Sequence, residues 1–310
     1  SPTSTPRSRV VMRQRGRAPG NSPAAISSNA QSASRWLRAA CTTSCNNSRG
    51  PSTVRTTACE IASIARTAAE NGARVITHCS AADATGEVAE GFASAHEGFR
   101  VIRQENKGIA GARNAAITVA TGAFYALVDA DDQVMPDYFI TSLRALHRAG
   151  ADPRYFDPRR SRKIVANNAY LLTPSGINRG RLLLREQMPA PEQQPGRILT
   201  DNIGSILSLF PRELIEQVGS FDEQLRYCED WDLWIRAVRS GWRIVRQNRP
   251  TALYRWTGGS ASSERSPMYR AQETVLRKAL AAGEGSAAAG LGGAVAALAA
   301  GLSCFFDQLL

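Results

Sequence analysis

Three aspartates that directly follow an apolar run are the clearest sign of chemistry in the sequence. The run FYALV at 124–128 is followed at once by Asp129, Asp131 and Asp132. Folding alone gives no reason to place three mutually repelling carboxylates at the end of a buried strand. Alternation along an extended segment turns Asp129 and Asp131 to the same side. Two such carboxylates predict an oxygen site for Mg²⁺ or Mn²⁺, which usually completes its shell with substrate phosphates.

A turn and helix upstream of the aspartates could bind the same phosphates. Asn106 and Gly108 belong to a turn that opens the predicted helix GIAGARNAAITVATG. The first turn of a helix carries free N–H groups and partial positive charge, which favour a phosphate. Arg113 and Asn114 lie in the first turns of this helix, and we expect them to reach a nucleotide.

A second acidic group opens a later helix, in the segment CEDWDLWIRAVRSGW. Glu229, Asp230 and Asp232 there have two interpretations. Carboxylates complement the dipole at any helix N-terminus. Alternatively, one of them is a general base that removes a proton from an acceptor hydroxyl.

The elements around these groups alternate between helices and strands, which predicts a doubly wound α/β layer. Ligands bind at the carboxyl ends of strands in such open sheets, and Asp129 and Asp131 follow a strand. Predicted helices cover 60–71, ATGEVAEGFASAH, DYFITSLRALHRAG and a short segment after Pro211. Predicted strands cover 74–77, FRVIRQE, KIVANNAYLL, the segment before Pro211, RIVRQ and TALYRW.

Charge and composition set the N-terminal segment apart from the rest of the 310-residue chain. The net charge is +11, and nine arginines precede Glu60, where no acidic residue occurs. Residues 1–56 lack hydrophobic periodicity, so we expect a mostly disordered basic segment. Such a segment could contact a membrane or a polyanion, act as a transit peptide, or come from a misread coding region. The cysteines match no zinc pattern, and with no clear signal peptide we expect a reducing, cytoplasmic location.

The C-terminal tail, residues 285–306, is uncharged and rich in Ala and Gly. Its length could span a membrane, but Ala and Gly contribute little transfer free energy, so a spanning helix is the less favoured reading. We expect a cytoplasmic protein that associates peripherally with the inner face of a membrane.

The two acidic motifs together resemble family 2 glycosyltransferases, the nucleotide-sugar transferases with the GT-A fold. The stretch QENKGIAGARNAAITVATGAFYALVDADD resembles the family's first signature block, and FDEQLRYCEDWDLWIRAVRSGWRI resembles its second. The resemblance covers roughly residues 60–256. It implies a GT-A-like α/β sandwich around a mainly parallel sheet. It also implies a hexosyltransferase-type enzyme of cell-envelope polysaccharide biosynthesis.

The resemblance also implies roles for individual residues. Asp129 and Asp131, the DXD motif, would hold Mg²⁺ or Mn²⁺ and the donor diphosphate, together with the Asn106–Gly108 turn. Asp230 would be the catalytic base and Glu229 its neighbour. The donor would be a UDP- or dTDP-sugar and the acceptor a glycan or lipid-linked molecule, with Trp231, Asn202 and Tyr170 expected to line the acceptor site. No specific nucleic acid is expected as a partner.

The sequence departs from the family pattern in its first quarter. Thr77 and His78 stand where the family has paired aspartates, and Thr257 stands where it has a histidine. Nothing in residues 1–57 matches the family's first strand, so we expect that strand to be missing. These departures keep two other functions open: an inactive relative that binds nucleotide sugars without turnover, and a polyanion-binding protein that uses its Arg-rich segment.

The predicted organisation has three parts. Residues 1–56 form the basic segment. Residues 57–256 form the GT-A domain, with a nucleotide-sugar half at 57–145 and an acceptor half at 146–256. Residues 257–310 form a loop, a helix and the Ala/Gly-rich tail. The predicted function is inverting, metal-assisted transfer of a sugar to a hydroxyl acceptor, with Asp230 as base.

Overall fold

The computed structural model describes residues 39–45, 74–79, 85–148, 161–256 and 265–282. Among them are nine strands, which form one sheet in the order β3-β2-β1-β4-β8-β6-β9-β5, with β7 paired to β6. The first half of the chain supplies four parallel strands and two of the helices that cover them. Its elements are β1 (Ala39–Cys45), β2 (Arg74–Cys79), α1 (Thr85–Ala95), β3 (Phe99–Arg103), α2 (Gly108–Val119) and β4 (Phe124–Leu127).

The second half extends this sheet with strands of mixed direction. Strand β8 runs antiparallel to both β4 and β6, and β6 runs parallel to β9. The elements are β5 (Gln133–Val134), α3 (Tyr138–Arg148), β6 (Lys163–Thr173), β7 (Gly176–Leu182), α4 (Gln194–Arg197), β8 (Ser208–Pro211), α5 (Arg212–Val218), α6 (Glu229–Arg239), β9 (Arg243–Arg255) and α7 (Arg265–Ala281).

The sheet separates two hydrophobic clusters, and β4 contributes to both. Tyr125 and Leu127 belong to the cluster that contains residues of α2 and α6, whereas Phe124, Ala126 and Val128 belong to the cluster on the other face. This is the period-two alternation of a strand that is buried on both sides. Asp129 continues the odd-numbered series, so the alternation directs it toward α2 and α6.

The expectation that the sheet lacks its first strand is wrong. Strand β1 lies between β2 and β4 and pairs in parallel with both, with Cys41 opposite Val75 and Ala126. The segment AACTTSC carries no Val, Ile or aromatic residue, which is why its composition gave no strand signal. Part of the segment predicted to be disordered is therefore a central strand.

Most other element predictions are confirmed, with three additions. Strand β7, helix α4 and strand β5 were not predicted, and RIVRQ and TALYRW are parts of the single strand β9. The predicted helix at 60–71, the remainder of 1–56, Thr257 and the tail at 285–306 lie outside the described residues. Within the described ranges, no helix combines the length and the apolar character needed to cross a bilayer.

Substitution of Gly204 tests how tightly the core between α6 and the sheet is packed. A Cβ on Gly204 would lie 2.7 Å from Cδ1 of Trp234, which is fully buried. Gly204→Ala must therefore displace the indole, and we expect the free energy of unfolding in urea to fall by about 1–3 kcal/mol.

Gly196→Ala is the matched control, because a Cβ there meets no atom within 4 Å. We expect this variant to equal the parent or to be slightly more stable. Equal losses in the two variants would contradict the packing described at Trp234.

Candidate functional site

A single buried arginine joins the two acidic motifs. The Nη2 group of Arg113 donates to Oδ1 of Asp129 at 2.8 Å, and Nη1 donates to Oε1 of Glu229 at 2.5 Å. The Arg113 side chain is 2% exposed, against 29% for Asp129 and 9% for Glu229. Glu229 lies 116 positions after Arg113 in the chain, and it meets Asp129 at the same guanidinium. The predicted donor and base motifs form one site.

Local structure explains why Arg113 can reach both carboxylates. Helix α2 packs on the sheet through small residues, and Ala110, Ala112 and Ala116 are buried on it. These small side chains allow α2 to lie close to the sheet at the end of β4. Glu229 is the first residue of α6, and it follows Cys228, whose backbone is left-handed with φ 59°. This turn is costly for a residue other than glycine, and it sets the direction in which α6 begins.

The electrostatics of the bridge favour a permanently charged Arg113. Burial by itself lowers the pKa of Arg113, but the carboxylates of Asp129 and Glu229 outweigh that effect and raise it. An arginine that is desolvated and paired in this way stays protonated at any accessible pH. It therefore supplies a fixed positive charge between two carboxylates.

Asp132 is a buried carboxylate that lies beside the two other carboxylates of the turn after β4. It is 1% exposed, and burial, Asp129 and Asp131 together raise its pKa well above the ordinary value. Its Oδ1 accepts the backbone N–H of Arg255 at 2.8 Å. Its Oδ2 is buried and has no hydrogen-bond partner within the described structure. A cation beside this turn would relieve the excess charge.

The donor set at this turn fits a divalent metal that is shared with a substrate. Asp129 and Asp131 provide hard carboxylate oxygens, which suit Mg²⁺ or Mn²⁺. Among the described residues, no group of three or more acidic, His or Cys side chains could enclose a metal alone. Any metal held here would need further ligands from phosphate or water.

The turn before α2 is built by the two residues predicted to bind the donor. Asn106 Oδ1 accepts the N–H of Gly108 at 2.9 Å, and Gly108 has φ +75°. A side chain at that φ would be strained, so the glycine is required by the backbone. The N-cap residue, Lys107, makes no side-chain hydrogen bond to α2, so the N–H groups that follow Gly108 lack the usual N-cap acceptor.

Asn114 uses its amide to connect α2 with the loop before α6. Its Oδ1 accepts the N–H of Phe221, and its Nδ2 donates to the Phe221 carbonyl and to Oε1 of Glu223, at 2.9–3.0 Å. Arg113 likewise bonds to protein groups, the carboxylates of Asp129 and Glu229. For both residues these contacts favour a positioning role over the predicted direct contact with a nucleotide.

The hydrogen bonds and the partial burial of Asp230 suit a general base. Its Oδ1 accepts the N–H of Trp231 at 2.7 Å, and its Oδ2 accepts Nδ2 of Asn202 at 3.1 Å. The side chain is half-buried. Burial and the neighbouring Glu229 raise the pKa of Asp230 to about 6, against the opposing effect of Arg113 and the hydrogen bonds. A carboxylate of this pKa can accept a proton at neutral pH.

The three predicted acceptor residues lie in different surroundings. Trp231 is 5% exposed and donates its indole N–H to the Ile198 carbonyl at 2.6 Å, so it belongs to the core and the predicted acceptor contact is not supported. Asn202 lies against the candidate base, in a turn closed by the Gly204 N–H on its Oδ1 at 3.2 Å. Tyr170 is half-buried beneath Arg179 on the β6–β7 hairpin.

Sequence reasoning missed Arg255, which ties β9 to the aspartate turn. Its Nε donates to the Asp131 carbonyl at 2.9 Å, in addition to the backbone bond to Asp132. The segment TALYRW predicted a strand, and the family resemblance drew attention to Thr257 just after it, but neither assigned Arg255 a contact with a motif more than 120 residues earlier.

The Arg113 bridge can be tested through stability. Arg113→Met leaves Asp129 and Glu229 without their buried counter-charge, and we expect a loss of about 3–5 kcal/mol in the free energy of unfolding. Arg277→Met is the control, since Arg277 pairs with Glu273 on the exposed face of α7. Removing that pair should cost about 0.2–1 kcal/mol. Comparable small losses in both variants would contradict a buried, energetically important bridge.

Comparison with known proteins agrees with this geometry. Residues 75–192 match the family model described as Glycosyl transferase family 2. The chain is 29% identical over 182 residues to an uncharacterized glycosyltransferase, EpsJ, of Bacillus subtilis. It is 28% identical over 192 residues to the succinoglycan biosynthesis protein ExoO of Rhizobium meliloti. The alignments cover 56% and 57% of this chain but only 49% and 52% of those relatives. The chain thus spans about half of their length.

A solved structure of the same architecture is that of S. aureus TarS 1-349 in complex with UDP-GlcNAc. It superposes with a TM-score of 0.57 at 14% identity, over 79% of this chain and 66% of that one. A likeness at this identity shows the fold alone, which is GT-A-like. The family match over residues 75–192 includes the aspartate turn, so the fold and the sequence comparison both point to similarity with family 2 glycosyltransferases.

Proposed function

We propose that the chain transfers a sugar from a nucleotide-diphosphate donor to an acceptor hydroxyl with inversion at the anomeric carbon. In this reaction the bond from the anomeric carbon to the diphosphate oxygen breaks, and a bond to the acceptor oxygen forms on the opposite face. The acceptor proton moves to Asp230, and the electron pair of the broken bond leaves with the diphosphate. Single displacement of this kind needs one base opposite the leaving group.

The observation that carries the proposal is the shared arginine. Asp129 belongs to the motif expected at the diphosphate, and Glu229 is the neighbour of the candidate base. Both are held by Arg113. An in-line reaction requires the leaving group and the base to be fixed relative to each other. A buried guanidinium bonded to both motifs supplies that constraint.

Asp129 and Asp131 are the residues that would hold Mg²⁺ or Mn²⁺. When bound, such a metal would neutralise charge on the departing diphosphate. Asp132 stays buried behind them and fixes the end of β9 through Arg255. The N–H groups of the first turn of α2, beyond that of Gly108, would donate to phosphate oxygens.

The substrate classes follow by similarity and are part of the same proposal. The TarS structures of this fold were solved with UDP-GlcNAc and with UDP, which supports a nucleotide-sugar donor with UDP- or dTDP-sugars as first candidates. ExoO is described as a succinoglycan biosynthesis protein, which supports a glycan or lipid-linked acceptor. Peripheral contact with a membrane would accompany a lipid-linked acceptor.

The donor site can be tested without knowing the acceptor. We expect UDP or dTDP with Mn²⁺ to raise the melting temperature of the full chain, and EDTA to abolish the rise, because the metal joins the aspartates to the diphosphate. Asp131→Ala should remove the shift, whereas Glu273→Ala, which removes an exposed carboxylate from α7, should retain it. A shift that persists in Asp131→Ala would contradict the assigned metal site.

The base can be tested by pH and substitution. Asp230 must be deprotonated to accept a proton, so we expect the transfer rate to fall as the pH drops through about 6, the value to which the pKa of Asp230 is raised. Asp230→Asn should lower the rate by roughly 10²–10⁴-fold at neutral pH.

The Asp230→Asn variant also separates an active enzyme from an inactive relative. Metal-dependent nucleotide binding should be unchanged in this variant, because Asp230 belongs to the acceptor side. An equal rate in the parent and the variant would contradict the assignment of the base. Nucleotide binding without turnover by the parent would favour the inactive, nucleotide-sugar-binding relative, which the Thr77 and His78 departures also favour.

A further inference from the structure

The β6–β7 hairpin carries two arginines that the proposed reaction does not use. Strand β7 is exposed along almost its whole length, and among the described strands it pairs with β6 alone. Arg179 lies over the ring of Tyr170 at 5.5 Å, and Arg181 lies over the ring of Trp256 at 5.8 Å. Neither arginine pairs with a carboxylate in the part of the chain that is described. Each guanidinium therefore lies over an aromatic ring, with no carboxylate partner among the described residues.

A wide bulge in β7 presents these two side chains. Asn178 pairs with Leu171 and Leu182 pairs with Tyr170, so the three residues between Asn178 and Leu182 have no opposite residue on β6. The Gly180 N–H donates to Oδ1 of Asn178 at 3.1 Å, which closes a local turn. Bulges redirect side chains next to functional sites. Here the bulge directs Arg179 onto the ring of Tyr170 in β6, and Arg181 onto the ring of Trp256, which directly follows β9.

The hairpin lies beside the aspartate turn. Trp256, beneath Arg181, directly follows Arg255, which bonds to Asp132 and to the Asp131 carbonyl. The Trp256 N–H donates to the Leu172 carbonyl of β6 at 2.8 Å, which fixes the turn end of the hairpin to the same strand end. A positively charged surface therefore borders a site whose own side chains are mostly carboxylates.

We propose that Arg179 and Arg181 form a subsite for an oxyanion, a phosphate or a carboxylate, carried by the sugar acceptor. A cation–π contact with a ring restrains each guanidinium, and its N–H groups can form paired bonds to an oxyanion. The acidic centre would repel such a group, so the acceptor would be oriented with its anion on the hairpin and its hydroxyl toward Asp230. This subsite depends on the proposed function for its role as an acceptor site.

The subsite can be tested with small sugars and no donor. Calorimetric titrations of the full chain in EDTA, without nucleotide, would compare glucose 1-phosphate, glucuronate and neutral glucose. We expect binding of one or both anions and not of glucose, and the stronger of the two anions identifies the group recognised. The double variant Arg179→Gln/Arg181→Gln should lose about tenfold or more in affinity, because two charge-assisted contacts are removed.

Arg100→Gln is the matched control, since Arg100 is an exposed arginine on β3, at the opposite edge of the sheet. It should retain full affinity. Binding of glucose as tight as that of the anions, an unchanged double variant, or an equal loss in Arg100→Gln would overturn the subsite.

Two further measurements on the double variant distinguish an acceptor subsite from a donor-binding role and from a membrane contact. The shift of the melting temperature with UDP and Mn²⁺ should be unchanged, so a failed donor site and a failed hairpin subsite give different results. If the double variant loses the nucleotide shift, the hairpin serves the donor and the acceptor subsite is overturned. If sugar anions do not bind but vesicles with 30% phosphatidylglycerol do, in an arginine-dependent way, the hairpin is a membrane contact instead.

Discussion

The ion bridge centred on Arg113 is the constraint on which the rest of the site depends. A guanidinium that is 2% exposed is stable only if its charge is matched, and Asp129 and Glu229 match it from two different elements. Burying charge is costly, and truncating one member leaves the others unpaired. The positions of α2, the end of β4 and the start of α6 are therefore mutually dependent. Arg113 also stacks at 5.5 Å over the ring of Phe221, in the loop before α6.

Neighbouring contacts extend the same constraint across the sheet. Asn114, the next residue of α2, holds the loop around Phe221, and Arg255 holds the aspartate turn from the other side. Asn202 bonds to Asp230 from a loop that is packed against Trp234 through Gly204. The two halves predicted as separate regions are thus joined by specific polar contacts at the carboxyl end of β4. A reaction that needs donor and acceptor aligned would benefit from that rigidity.

The sequence predicted the motifs better than their contacts. The aspartates after β4 were identified because they interrupt an apolar pattern with charge, and the Glu229–Asp230 pair was identified because its segment resembles the family's second signature. Arg113 was assigned to the nucleotide because its partner Glu229 lies 116 residues away, and no local pattern reports such a distance. Trp231 looked like an acceptor platform, yet helical spacing directs it into the core, where only the three-dimensional packing reveals its bond to the Ile198 carbonyl.

The errors in the fold have a similar origin. Strand β1 has weak intrinsic preference and is specified by pairing with β2 and β4, which are distant in sequence. Strand β7 was missed because its exposed, Arg- and Gly-containing sequence lacks alternation and includes a bulge. Elements defined by their own periodicity, such as α3 and α6, were found with bounds close to those observed.

The most direct test of this account is a double-mutant cycle between Asp129→Asn and Glu229→Gln, measured as free energies of unfolding. If one arginine couples the two motifs, the effects of the single substitutions should not add, and the interaction energy should be about 0.5–3 kcal/mol. Effects that add to within about 0.3 kcal/mol would show that the two motifs are energetically independent, and would contradict the shared arginine as the organising contact of the site.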